Sequence, residues 1–425
     1  MPSLPLLATI RQTVPTAPLA DVAQAVRDQL AQIDLRSRVR PGARIAIGAG
    51  SRGITDYALI VGTVVRELQA LGAAPFIFPA MGSHGGATAA GQRGVLAEWG
   101  ITPERMGCEV HSSMEVVQIG ETPTNIAVFC DAGAFNSDGI VLVNRVKIHT
   151  DFHGPTESGL TKMMAIGLGK RQGAELIHAH GTRGLREEIP RVAAVQLARS
   201  PILCGIAIVE DGAHHVSMIK ALPAPAIPLE EPAILERARQ LMARLPVDAC
   251  DFLIVDQIGK EISGGGMDGN IIGRMYIEGD PEPESPRVGM LLARRLTRAT
   301  HGNACGIGYA DMITQQLIDA MDEEITRINI ATSGFLLRGR VPPVFANDRA
   351  AIEHALSALS ERTNPSTSSG RGGAGPTVLR IRDTLSLDEL QASANLLPEL
   401  LARPGIELFA APKEIHFDRE GALMP

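Results

Sequence analysis

A chain of 425 residues, 45% hydrophobic and 20% charged, has apolar surface for two or three domains, which excludes a single small core and global disorder. Its net charge of −7 and pI near 5.9 offer no bulk attraction to phosphate backbones or anionic membranes, so neither nucleic acid nor a membrane is an expected partner. Ten Phe, three Tyr and one Trp are also too few for a base-stacking platform.

In chain order, Asp21 is placed to cap a helix whose apolar residues Val22, Val26, Leu30 and Ile33 recur with a period near 3.6. A strand is predicted at 43–50 (ARIAIGAG), a helix from Asp56, a strand at 74–80 (APFIFPA) and a helix carrying Val95, Leu96 and Trp99. Further strands follow at 139–144 (GIVLVN) and 202–209 (ILCGIAIV). Such alternation predicts an α/β fold with a largely parallel sheet, whose ligands gather at the carboxyl ends of the strands. The apolar face of 233–245 predicts a helix ended by Pro246, after which ACDFLIVDQIG opens a fresh strand. We therefore expect two α/β domains, 1–246 and 247–425, with an active-site cleft between them. The second has predicted helices around 311–324 and 348–361, a low-complexity surface loop at 364–376, and a last segment free to pack back on the first domain.

The five cysteines, Cys108, Cys130, Cys204, Cys250 and Cys305, stand far apart and form no Cys-x-x-Cys pair. That disfavours a disulfide framework and a thiolate metal site. No apolar run reaches the length of a membrane helix, and the proline-broken first residues carry no basic leader, so the expected location is the cytoplasm.

Three predicted strands each run into a polar, glycine-bearing turn: GSRG with Arg52, MGSHGG with His84, and NRVKIHTDFHG with Arg145, Lys147, His149 and His153. In a parallel sheet these turns share one edge, where glycines admit an anion to backbone N–H groups and Arg52 offers two parallel hydrogen bonds to a carboxylate or phosphate. The following stretch gathers His149, His153, Lys162, Lys170, His178 and His180 within 32 residues, although the chain has only 11 histidines. A helix is predicted from Lys170 to His180, stopped by Gly181. An isolated His178 would read as a core-edge histidine; the clustering favours a metal ligand. No HExxH pattern or thiolate completes a protein cage, so a bound metal would take most of its ligands from a cofactor. His214 and His215 read as loop residues, and His301, in a glycine-rich turn, as structural or ligand-binding. There is no G-x-S-x-G elbow, and GAGSRG at 48–53 has no acidic residue clearly placed for a ribose, so a tightly bound ordinary NAD is not expected.

Arg52, His84, His149, Lys162 and His178, in this order and with the last two 16 positions apart, resemble the lactate racemase family over about residues 40–335. The resemblance implies a nickel-pincer nucleotide, a pyridinium mononucleotide whose ring carbon and two sulfurs grip nickel. Lys162 would bind it covalently and His178 would be the protein ligand to nickel. His84 and His149 would be the acid/base pair that inverts a 2-hydroxy acid by transient hydride transfer, and Arg52 would hold the substrate carboxylate or a neighbouring anion. His153 competes with His149 for the second acid/base role, and the position directly after the strand favours His149. The loop GGGMDGNIIGRM stands where the family contacts substrate, which implies Asn270 and Arg274 as substrate-binding residues and a larger or more polar substrate than lactate. Loading would require cofactor-biosynthesis proteins; the oligomeric state is left open. Two other readings stand beside this one: an ordinary divalent-metal hydrolase or lyase, and a non-catalytic binder of a nucleotide or hydroxy acid.

Overall fold

A computed structural model describes residues 4–50, 53–277, 279–361 and 375–424. The chain forms two compact units, one of residues 15–242 and one that joins the chain up to Val14 to residues 243–425.

The first strand, β1 (Leu6–Gln12), belongs to the second of these units. Helix α1 (Val22–Gln32) starts where its sequence predicts, with the Asp21 carboxylate accepting the Gln24 N–H at 2.8 Å and Val22, Val26 and Leu30 buried. Then come β2 (Arg44–Ala49), α2 (Tyr57–Ala70), β3 (Ala74–Pro79), α3 (Ala89–Glu98) and β4 (Glu109–Val110). An antiparallel ribbon of β5 (Val116–Glu121) and β6 (Ala127–Asp131) precedes β7 (Gly139–Arg145). The unit ends with α4 (Lys170–His178), α5 (Ile189–Arg199), β8 (Ile202–Glu210), β9 (Val216–Pro223) and α6 (Ile227–Leu241).

Its sheet has the order β4-β3-β2-β7-β8-β9 and is parallel except for β9. Continuous apolar strands suit it because helices cover both faces. Ile45, Ile47, Val141 and Val143 pack under α1 and α2, while Ala46, Phe78, Leu142 and Ala207 face the segment from Leu160 to Leu168 and α6. Each such side chain, fully buried, contributes about 1.5–3 kcal/mol.

The other unit is built from β10 (Ala249–Ile258), β11 (Arg287–Leu296), β12 (Met312–Thr314), α7 (Glu323–Ser333), β13 (Val344–Phe345), α8 (Asp348–Glu361), β14 (Val378–Ile381), β15 (Glu389–Ser393) and β16 (Ile406–Glu414). The sheet order is β13-β12-β11-β10-β14-β15-β1-β16, parallel from β13 to β14 and antiparallel beyond. At the carboxyl edge of its parallel strands the buried Arg294 bonds Asp256 and Asp348, and Arg380 shares Asp256.

Four expectations need correction. A single cut near 246 misplaces the first strand, because β1 pairs with β15 and β16; the last strand accordingly pairs within its own unit. Helix α6 starts at Ile227, with a proline in its first turn, where no backbone N–H is required, and ends at Leu241, well before Pro246. The stretch 311–324 holds β12 and a short helix (Gln315–Asp319), and α7 begins only at Glu323, capped by Asp322. Helix α4 ends at His178, capped by Ala179 and short of the expected His180, and Gly181, with φ of +58°, opens a further helical turn (Gly181–Arg183) instead of stopping the helix. Residues 364–374 of the low-complexity loop lie outside the described residues.

Candidate active site

Because β2, β3, β7 and β8 are parallel, the turns at their carboxyl ends lie along one edge of the sheet. After β2, the Gly50 N–H donates to the Tyr57 hydroxyl at 2.5 Å, and that hydroxyl donates to the Val143 carbonyl at 2.9 Å. Burial raises the Tyr57 pKa, which keeps it a donating phenol and fastens the β2 exit to β7. The Thr55 N–H donates to Glu210 at 2.7 Å, and Arg145 also pairs with Glu210, so this arginine serves the turn itself. Arg52 lies outside the described residues.

The turn after β3 carries His84, exposed at the head of a single 3₁₀ turn (Gly85–Ala87). It is held from below: Gln92 donates to the carbonyls of Met81 and Gly82, at 3.2 and 3.0 Å. The fully buried Lys170 donates to the Pro79 carbonyl at 2.6 Å and lies 3.2 Å from Asp131. Burial lowers the Lys170 pKa against the opposing pull of Asp131. Gly82 has no room for a side chain, since a Cβ would lie 2.8 Å from Ile166 Cγ2 and 3.0 Å from Ala174 Cβ. The His84 turn thus packs directly on the helical segment between Lys162 and His178.

After β7, Asn144 donates to the Gly159 carbonyl at 2.8 Å, closing a loop whose centre is Glu157. The Glu157 side chain is fully buried and accepts the His149 N–H at 2.6 Å and an N–H of Arg239 at 3.2 Å; His153 Nδ1 is 3.3 Å away. The Asp151 N–H donates to His149 Nδ1 at 2.9 Å, and the His149 ring packs on Phe152 with centroids 4.7 Å apart. His149 Nε2 is hydrogen-bonded to Lys162 Nζ.

Lys162 closes a single helical turn (Leu160–Lys162) that widens into a π-helical turn (Met163–Gly167), a distortion found mostly at functional sites. The buried Glu231 accepts the Thr161 N–H at 2.9 Å and the Thr161 hydroxyl. Burial raises its pKa, against the lowering effect of those bonds. His178, at the end of α4, is open to solvent on one side. Burial on the other lowers its pKa; a positive charge on Lys162 would lower it further, and Asp151 opposes the shift.

The structure therefore brings His149 and Lys162 into contact and couples His178 to Lys162 and Asp151. His153 is the more exposed loop histidine, with 38% of its side chain accessible against 12% for His149, and it faces Glu157 instead. Asn270 and Arg274 belong to the other unit. Asn270 is held by Asp268 through its N–H and its side-chain amide, both at 2.9 Å. Arg274, 8% exposed, donates to the carbonyls of Tyr309 and Val288 and pairs with Asp311 at 2.7 Å. His214 and His215 are exposed loop residues, and His301, at φ +50°, is exposed at the end of a 3₁₀ turn.

Sequence reasoning missed Glu157, Glu231 and Asp131. Glu157 left a signal, being four residues after His153. Glu231 left none, since its partner Thr161 is 70 residues distant. Burial pushes the thiols of Cys130, Cys204 and Cys250 up to about 12, so none is a thiolate near neutrality. Among the described residues no group of three or more His, Cys, Asp or Glu is placed to hold a metal ion, and no helix is long and apolar enough to cross a membrane.

Fold and geometry together define a two-unit α/β protein with a histidine-and-lysine site at the carboxyl edge of a parallel sheet. Its fold is similar to that of the lactate racemase apoprotein from Thermoanaerobacterium thermosaccharolyticum, with a TM-score of 0.54 and 13% identity over 89% of this chain and 94% of that one. A Thermotoga maritima protein solved by a structural genomics consortium is similar at a TM-score of 0.51 and 12% identity, over 77% of this chain and 84% of that one. At these identities the likeness is one of fold. No family model and no curated protein matches the chain.

Proposed function

We propose that this protein is a 2-hydroxyacid racemase or epimerase that works with a nickel-pincer nucleotide tethered to Lys162. The observation that carries the reading is the meeting of His149 with Lys162, in electrostatic reach of His178, on a fold similar to that of a lactate racemase apoprotein. The donor set fits such a group. A cofactor that brings its own carbon and sulfur donors needs one imidazole and one amine from the protein, and His178 and Lys162 are those. The lowered pKa of His178 keeps its lone pair available near neutrality. An ordinary divalent ion needs three or more protein donors, which the described residues do not assemble.

When bound, the cofactor supplies the hydride acceptor. The protein's part is proton transfer and positioning. An imidazole can both take and return the hydroxyl proton, the role we give to His84 and His149, and two are needed because the two enantiomers present that hydroxyl to different sides. The Asp151 N–H on Nδ1 fixes the His149 ring with Nε2 turned to Lys162. Glu157 and Arg239 fix the loop that aims it. Arg52 would hold the substrate carboxylate by two parallel hydrogen bonds. Arg274, engaged by Asp311 and two carbonyls, holds its own loop instead. Loading would depend on the host's cofactor-biosynthesis proteins.

The test is the intact mass and nickel content of protein from cells supplied with the cofactor pathway. We expect a mass excess matching the nucleotide with about one nickel per chain. Lys162→Ala should remove the excess, and His84→Ala should abolish interconversion of 2-hydroxy acid enantiomers while keeping it. An unmodified mass, with the supply confirmed on a control racemase, overturns the reading.

A further inference from the structure

A neutral imidazole carries one ring proton, and the bond that one nitrogen accepts decides where it sits. In His149 the Asp151 N–H points at Nδ1 from 2.9 Å, while the Asp151 carboxylate is 3.8 Å away, too far to receive a proton from that nitrogen. Nδ1 is therefore the acceptor and Nε2 carries the hydrogen. Nε2 is the atom that meets Lys162 Nζ. An ammonium there would set donor against donor; a free amine has the lone pair that completes the bond.

We infer that His149 holds Lys162 as a free, nucleophilic amine before any cofactor is attached, and that acylation of Lys162 releases His149 for work on substrate. The inference deepens the function proposed above and rests on it for the identity of the acyl group. The chemistry balances without an oxidant. The Nζ lone pair forms a C–N bond to the carbon of an activated carboxyl or thiocarboxyl group, the bond to the leaving group breaks, and one N–H proton departs with that group. The product nitrogen is amide-like and has no lone pair to accept from Nε2–H, so the His149 ring is free to bond a hydroxyl. His149 thus cannot serve substrate until Lys162 has been acylated.

The amine lies 5.8 Å from the centre of the Phe152 ring, on which His149 also packs. Among the described residues, the titratable groups near it include His149 and Asp151 from the loop after β7 and His178 from α4; Glu231 sits at the base of its turn on Thr161. A protonated His178 would further disfavour an ammonium at position 162.

The chain has six lysines, Lys147, Lys162, Lys170, Lys220, Lys260 and Lys413, so trace labelling with acetic anhydride is easily mapped by peptide mass spectrometry. The protein is the full chain made without a cofactor supply. An ordinary lysine near pH 7 is free amine in only about one molecule in 2,500. Lys162 is expected to label at least about tenfold faster than Lys220 and Lys413 near pH 7, and to level off at a pH where those two still gain reactivity. His149→Phe, which keeps an aromatic ring against Phe152, should bring Lys162 down to the rate of Lys413, with folding checked by circular dichroism. The native chain alone already decides the matter: a Lys162 rate at or below that of Lys413 overturns the inference. A fast Lys162 with no nucleotide adduct under a working supply would leave this inference standing and overturn the proposed function. An adduct on a slow Lys162 would do the reverse.

Discussion

Lys170→Met isolates the charge beneath the His84 turn. Methionine keeps most of the volume and the flexible stem of lysine, so the change in packing is small. What goes is the ammonium, which lies 2.6 Å from the Pro79 carbonyl, 3.2 Å from Asp131 and 3.4 Å from Gln92 in a fully buried position. Stranding one charge of a buried pair costs about 3–5 kcal/mol. Asp131 keeps the Ala134 N–H at 2.9 Å, which places the expected loss near the lower end, at about 3 kcal/mol. Adding Asp131→Asn removes the stranded charge, and the double variant should lose only about 1–2 kcal/mol, mainly for the Pro79 carbonyl left without its donor. Urea unfolding followed by tryptophan fluorescence reads the correct unit, because Trp99 is the chain's one tryptophan and its ring lies against Gly53 within residues 15–242. A loss below about 1 kcal/mol in the single variant, or strict additivity in the cycle, would show that the pair is neutral and merely hydrogen-bonded, and would refute the argument.

Gly82→Ala drives a methyl group into Ile166 and Ala174 and should cost about 1–3 kcal/mol in the same titration, and Ile166→Ala, which removes the clashing Cγ2, should cost less in that background than alone. Full stability in the single variant would show that the His84 turn does not rest on this helical segment. Glu231→Gln tests the buried carboxyl through pH. A folded-state pKa raised by burial gives a contribution that is complete below the unfolded value of about 4.3 and is lost as pH rises through the folded value. The variant should therefore show a smaller fall in urea midpoint than the native chain between about pH 5 and pH 8, and equal falls would remove Glu231 as the source.

The parallel sheet of the 15–242 unit was legible because its strands are covered on both faces and so spell continuous apolar runs bounded by glycine turns. Capping by Asp21 was legible for the same local reason. The place of β1 was not, since strand pairing depends on partners that no local pattern names. In the site, the clustering of His149, Lys162 and His178 could be read from the chain, but the bonds that orient them could not. Glu157 reaches His149 across a loop, and Glu231 reaches Thr161 from a helix built after two more strands. Arg274 shows the opposite failure: a polar residue in a glycine-rich loop invites a ligand reading, yet its guanidinium is spent on the backbone around it. Sequence displays which charged groups are present and hides which of them are already satisfied.

The threading of β1 bears on how the molecule is made. Arg11 and Glu389 are 378 residues apart in the chain and meet at 2.9 Å, because β1 lies between β15 and β16. At about 5–20 residues per second, a ribosome needs roughly 20–80 s to deliver the partners of this strand. Throughout that time LLATIRQ has no sheet to join, while the whole 15–242 unit, with its parallel sheet and its lysine, emerges complete and can fold on its own schedule. The 15–242 unit is thus finished early in the life of each chain, and the last act of folding is the capture of β1 by its partners.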